Sequence, residues 1–306
     1  MIVGLIFPIE ASRRITSIGA GEPRLFTTCS RFAIRAAMLL ANARMYSPAA
    51  GAAKAWRDFF YWLAKAADVP LDVVEHAPPA PLAELWTRRD LGACFMCGWP
   101  LAKRAAKVRP LAAPVLSDPH AQGRAIYWTD FVVRFNSDFG KLEDCFGRRI
   151  AYTIKTSHSG YNAPRHHLLR FLEHGPRRLF SEVVGPVVTP RGAALAVLEG
   201  RADVAPLDAY VHALLRRHDP NIALGLRIID RSAFAPMPAL VASAGLDSRL
   251  LTRLTDALIG AAVDHEARSL LSRLEIKSFA PATVASYDET LAFEREAMEK
   301  SYPEIA

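Results

Sequence analysis

The sequence predicts an α/β protein built as two β/α lobes with a central cleft. Three observations predict it. Strand-like and helix-like segments alternate regularly from residue 37 to 116. A second alternation runs from 149 to 217, and two strand-like segments, Leu226 to Ile229 and Ala239 to Ala242, then lead the chain back. Such alternation is the mark of strands covered by helices on both faces. The lobes are expected at 37–130 plus 232–306 and at 131–231, after an N-terminal extension or mis-assigned start over 1–36. Two lobes joined by two crossings place a ligand between them.

The elements follow in order. Ala37 to Ala43 is an apolar run of strand length, ended by a Ser-Pro turn. Ala52 to Ala67 is a helix, because Trp56, Phe59, Phe60 and Leu63 recur at helical spacing. Leu71 to Glu75 is a second strand and Pro81 to Arg88 a short helix. Gly92 to Cys97 is a third strand, ending at Gly98-Trp99-Pro100. A helix over Leu101 to Lys107 and a strand near Leu111 to Leu116 complete a set that reads as a parallel sheet. Phe131 to Arg134 is the strand by which the chain leaves the first lobe. The second set is strand 149–153, helix 163–172, strand 183–188, helix 191–199, strand 203–206 and helix 208–217. Helices over Asp247 to Val263 and Asp264 to Leu274 follow the returning strands. The charged stretch Tyr287 to Lys300 reads as an amphipathic helix lying on the surface.

Composition narrows the function classes. The 306 residues are 51% hydrophobic and 23% charged, as in an ordinary globular protein. The net charge of +7 comes from basic residues scattered in pairs such as Arg88-Arg89 and Arg148-Arg149. With no basic block or nucleic-acid motif, no nucleic-acid partner is predicted. The excess serves solubility and attraction for small anions. No segment reaches the roughly 18 apolar residues of a membrane span. Four cysteines are too few for a disulfide scaffold. Cys94 and Cys97 have redox or metal spacing but lie in an apolar strand-like run without a second ligand pair, so they read as buried strand thiols. No metal and no cofactor are predicted. The first 36 residues lack a basic n-region and a convincing cleavage site, and Met38 is an alternative initiator.

The chemistry is concentrated in Thr153-Ile154-Lys155-Thr156-Ser157-His158-Ser159-Gly160-Tyr161, a polar turn between a strand and a helix. Free N–H groups of a first helical turn, Ser hydroxyls and the helix dipole together favour an anion. Two further segments stand with it. These are Gly200-Arg201-Ala202-Asp203-Val204-Ala205-Pro206-Leu207-Asp208, and Met45-Tyr46 with Cys97-Gly98-Trp99-Pro100. In this order and spacing the three segments resemble the phosphate/phosphonate substrate-binding proteins of ABC importers, which have a type II periplasmic-binding fold. The resemblance runs from about Ala37 to about Val263.

It implies a ligand-binding set of Tyr46, Trp99, Ser157, His158, Ser159, Gly160, Arg191 and Asp208. Ser157, His158 and Ser159 would hold phosphoryl or phosphonyl oxygens at the helix start. Tyr46 and Trp99 would close over the ligand from the opposite wall, and Asp208 would meet an amine or other donor of the ligand. One departure stands out. The family commonly has Gly-Ser-His-Arg before the Gly-x-Ala-Asp segment, whereas this chain has Val188-Thr189-Pro190-Arg191. Pro190 replaces the His, and Arg191 survives as a bidentate donor.

The resemblance thus implies a non-enzymatic periplasmic protein that captures a small anionic, phosphonate- or phosphate-like ligand for an ABC permease. The alternatives are a cytoplasmic ligand sensor, suggested by the missing export signal, and an enzyme on the same fold. Against the enzyme, the sequence has no nucleophile elbow, metal-ligand cluster or P-loop.

Overall fold

The computed structural model describes residues 38–172 and 178–306. The extension 1–36 with Cys29, and the first strand's expected start at Ala37, lie outside the described residues. In the first half run β1 (Leu39–Asn42), α1 (Ala50–Ala67), β2 (Leu71–Val73), α2 (Ala83–Trp86), β3 (Leu91–Met96), α3 (Gly98–Ala102), β4 (Val108–Leu116), β5 (Ile126–Tyr127) and β6 (Thr129–Arg134). Next come β7 (Arg149–Ala151), α4 (Ala163–Leu168), β8 (Glu182–Val184), α5 (Pro190–Leu198), β9 (Val204–Asp208), α6 (Ala209–His218), α7 (Pro220–Leu224) and β10 (Leu226–Arg231). The chain ends with β11 (Ala235–Pro236), β12 (Ala239–Ser243), α8 (Ser248–Gly260), α9 (His265–Arg273), β13 (Ile276–Pro281) and α10 (Glu289–Glu299).

The strands form a six-stranded sheet, β13-β4-β12-β3-β1-β2, and a five-stranded sheet, β10-β6-β9-β7-β8, with β5 and β11 as a small ribbon. The first sheet is not wholly parallel as expected. β1 runs parallel to β2 and β3, but β12 enters antiparallel between β3 and β4, and β13 adds antiparallel to β4. Periodicity records which face a residue takes and not the direction of its strand. The inserted strand is the returning one, made after the excursion through the second sheet. β3 is buried at every position, which is why Leu91–Met96 is an unbroken apolar run.

Under the first sheet, Trp56 of α1 meets Phe95 at 4.9 Å and Phe59 meets Phe279 at 5.5 Å between ring centroids. This core is continuous into the second lobe, where Tyr46 stands edge-on to Tyr210 of α6 at 4.7 Å. A smaller core gathers Phe131, Ile150, Leu168, Phe180 and Val204 under the second sheet. The two crossings between sheets lie side by side, with Thr129 N–H donating to Ser232 Oγ and Ser232 N–H to Thr129 O, both at 2.9 Å.

Two expectations are corrected. The third strand is expected to end at Gly98-Trp99-Pro100 and a helix to begin only at Leu101, which leaves Trp99 and Pro100 outside it. Instead both residues sit in the first turn of α3, where proline's missing N–H is not needed. The tail helix does not lie free on the surface. Thr290, Phe293 and Ala297 are buried, Glu294 accepts from Trp99 of α3, and Ala297, Tyr302 and Ile305 join the second lobe's core, so the tail packs on both lobes. Amphipathicity showed a face to be buried and could not show that both lobes would supply its partner.

Truncating this docked tail has a measurable cost. Tyr302→Ala should lower unfolding stability by about 3 kcal/mol in a urea titration. Val263→Ser, at a position 84% exposed, should stay within about 0.5 kcal/mol of the parent. Equal effects of the two would contradict the docking.

Candidate functional site

The polar turn after β7 folds back on itself. Ser157 N–H donates to Ile154 O at 3.0 Å, and Thr153 N–H reaches Gly160 O at 3.3 Å. The chain then makes one π-type turn over His158–Asn162 before α4. Such turns concentrate at functional sites. Ser157 caps the turn by accepting the Gly160 N–H at 3.0 Å, which leaves its own hydroxyl proton free to donate. Gly160 is required sterically: a Cβ there would stand 1.9 Å from Thr153 Oγ1.

A cavity of about 190 Å³ opens between the lobes beside this turn. Arg44, Tyr46, Trp86, Cys97 and Tyr127 line it from one side, and Thr153, Ser157, Ser159, Arg191 and Asp208 from the other. The remaining wall is largely apolar, with Leu82, Ile154, Pro190, Val211 and Pro238 among its residues. Three residues of the lining, Tyr46, Tyr127 and Thr153, carry buried hydroxyls with no protein hydrogen-bond partner. The Tyr127 hydroxyl lies near Ser159, whose own proton is donated to Asp208 Oδ2 at 2.9 Å. Val188, also in the lining, holds φ at 68°, a strained value for a β-branched residue. Its N–H is fixed on Thr153 O at 3.0 Å.

Asp208 ends β9 and caps α6. Its Oδ1 accepts the N–H groups of Tyr210 at 3.0 Å and Val211 at 3.1 Å. Burial raises its pKa to about 6, against the pull of these N–H groups and of Ser159 toward the charged form. Burial likewise pushes the Tyr46 and Tyr127 phenols well above their usual range and Cys97 up to about 11, so all three are protonated at neutral pH. Cys97 is not a strand thiol: it caps α3, and its Sγ accepts the His158 N–H at 3.2 Å.

Of the eight residues the sequence singled out, Tyr46, Ser157, Ser159, Arg191 and Asp208 meet at the cavity. The other three do not line it. Trp99 turns toward α10, where its Nε1–H donates to Glu294 at 3.0 Å. His158 is buried against Phe293, neutral because burial lowers its pKa to about 3, and its N–H is spent on Cys97. Gly160 stands behind Thr153. Arg191, at the first turn of α5, donates through one nitrogen to Pro48 O at 2.9 Å and to Asp219 at 2.6 Å, so it bridges the lobes over the cavity. Sequence reasoning missed Arg44 and Tyr127, and it put Thr153 at the head of the polar turn without assigning it to the ligand-binding set. Thr153 and Arg44 had a usable signal, since each is a polar residue within two positions of a predicted strand end.

Residues 45–287 match the model of the ABC transporter phosphonate periplasmic substrate-binding protein family. The chain belongs to this family. Membership implies a small ligand and an ABC permease partner, and the family is periplasmic. No curated protein matches significantly. Among solved structures the fold is similar to the binding-protein component of an ABC phosphonate transporter from Pseudomonas aeruginosa (17% identity, TM-score 0.73, 86% of this chain and 88% of that one). It is also similar to PhnD1 from Prochlorococcus marinus in complex with methylphosphonate (16%, TM-score 0.70, 86% and 98%). A Xanthomonas citri protein solved with ATP is more distant (18%, TM-score 0.60, 86% and 98%). The phosphonate-family frame agrees with the two-lobed architecture, and among the described residues no helix is long and apolar enough to cross a membrane.

The raised pKa of Asp208 has a direct consequence. Its folded value of about 6 exceeds the ordinary carboxylate value of about 3.9, so the stability from its protonated form is complete below pH ~4 and lost as pH rises through ~6. Asp208→Asn keeps an acceptor for the helix cap and does not titrate. The variant's melting temperature relative to the parent should therefore climb between pH ~4 and ~7. A difference that stays constant with pH would contradict the burial argument.

Proposed function

We propose that this protein captures a small phosphonate or phosphate monoester as its monoanion by closing two lobes over it, and presents the closed form to an ABC permease from the periplasm. The observation that carries the reading is that three residues lining one cavity, Tyr46, Tyr127 and Thr153, each carry a buried hydroxyl without a protein hydrogen-bond partner. A buried donor without an acceptor costs about 1–3 kcal/mol. Three tetrahedral oxyanion positions would relieve that cost, and the free proton of Ser157 adds a fourth donor. Hydroxyl dipoles bind such a group without a cation in contact, as the wall beside Pro190 requires.

Asp208 has one lone pair of Oδ2 not taken by Ser159 and supplies the acceptor for a ligand proton, either a P–OH or an ammonium. Ser159 orients that carboxylate. Arg191 works as a latch between lobes, through Pro48 and Asp219. Trp99, His158 and Gly160 support the wall from behind. The paired crossings at Thr129 and Ser232 supply the hinge. Binding alone is the proposed activity; no residue is assigned a chemical step. The methylphosphonate in the Prochlorococcus marinus relative supports the ligand class.

Thermal denaturation tests the assignment. Methylphosphonate or ethylphosphonate should raise the melting temperature, and Ser157→Ala combined with Ser159→Ala should remove the shift. An unchanged shift in the double variant, or no response of the parent to any phosphonate or phosphate monoester, would contradict it.

A further inference from the structure

We infer that the cavity has a second, cationic pole at Arg44, and that the preferred ligand carries a carboxylate beyond a short apolar body attached to its phosphonyl group. The inference rests on the binding reading above and specifies its ligand.

Arg44 opens the 3-10 turn Arg44–Tyr46 that follows β1, and its N–H is fixed on Asn42 Oδ1 at 2.9 Å. The turn that delivers the Tyr46 hydroxyl therefore also delivers this side chain. The guanidinium is anchored through one nitrogen: NH1 donates to His76 O at 3.3 Å and to Ala80 O. Those carbonyls flank Pro78, which lines the cavity together with Leu82. A guanidinium has five N–H donors in a planar fork. Among the described residues, Nε and NH2 of Arg44 donate to no protein acceptor.

Charge separates the two arginines of the lining. Arg191 is paired with Asp219 at 2.6 Å. Arg44 forms no ion pair with any carboxylate among the described residues, and burial depresses its pKa. Glu84 acts on Arg44 only at longer range, and a partly buried cation with no carboxylate in contact would gain from a ligand carboxylate through a bidentate contact.

The two poles have different neighbours. Tyr46, Tyr127, Cys97 and Asp208 influence one another electrostatically, whereas Arg44 lies among Cys94 and Glu84. Met45, Pro78, Leu82 and Trp86 supply apolar wall on the Arg44 side. A phosphonyl group on the hydroxyls would rest its carbon body on that wall and point its far end at the guanidinium.

Titration calorimetry on the full chain at neutral pH tests this with phosphonoacetate, phosphonopropionate, propylphosphonate and aminomethylphosphonate. The better of the two carboxylated ligands should bind at least about tenfold more tightly than propylphosphonate, a difference of about 1.4 kcal/mol. Arg44→Gln should collapse that preference to within about threefold, and Arg44→Lys, which keeps the charge and loses the fork, should retain part of it. Equal binding of carboxylated and plain alkyl ligands by the parent would overturn the inference while leaving the phosphonate reading intact. So would an Arg44→Gln variant weakened equally toward all ligands, which would make Arg44 only a brace for the 76–80 loop. Should Arg44→Gln fail to fold, the parent's ligand ranking and Arg44→Lys decide. Failure of all four compounds to bind the parent would overturn the underlying reading, and this inference with it.

Discussion

The buried hydrogen bond from Ser159 to Asp208 holds the cavity wall together. One end belongs to the turn after β7 and the other to the junction of β9 and α6. Through Asp208 Oδ1 the same carboxylate caps α6 at Tyr210 and Val211. A hydrogen bond to a charged group contributes about 1.5–3 kcal/mol, and loss of an Asp cap costs about 0.5–2 kcal/mol. The cap fixes the start of α6, whose Tyr210 packs against Tyr46 of the facing lobe. Ser159 O in turn accepts the Thr129 hydroxyl at 2.8 Å, which ties the turn to the crossing between lobes. Anion turn, helix cap and crossing are thus one connected network.

Much of this was legible in the sequence, for reasons that can be stated residue by residue. Trp56, Phe59, Phe60 and Leu63 announce α1 because burial on one helix face imposes their spacing. Ser157 and Asp208 are readable because capping and a β/α junction demand particular side chains at particular places. Trp99 was misjudged because a Trp-Pro pair satisfies both an extended chain and a first helical turn, and only the contact with Glu294 chooses between them. His158 sits in the middle of a turn rich in anion-binding groups, yet the thiol of Cys97 takes its N–H. That pairing joins residues far apart in sequence, and local pattern does not contain it.

The residues left out of the ligand-binding set share a different cause. Arg44, Tyr127 and Thr153 gain their meaning from what the fold leaves undone around them, namely a guanidinium without a carboxylate in contact and two phenols and a threonine without acceptors. Unsatisfied groups are invisible in a sequence, because satisfaction is decided by tertiary neighbours. Family membership supplies the frame and the kind of partner. The particular polarity of this cavity comes from this chain's own side chains, with Pro190 at one wall and Arg44 at another.

The central claim is that the cavity hydroxyls are kept unpaired for a ligand at a cost to the protein alone. Tyr46→Phe combined with Tyr127→Phe tests it most directly, because the claim requires effects of opposite sign. Removing two unsatisfied buried hydroxyls should leave the melting temperature without ligand equal or higher. The same change should weaken binding of phosphonates by at least about tenfold in calorimetry. A double variant that is destabilised without ligand and binds phosphonates as tightly as the parent would contradict the account.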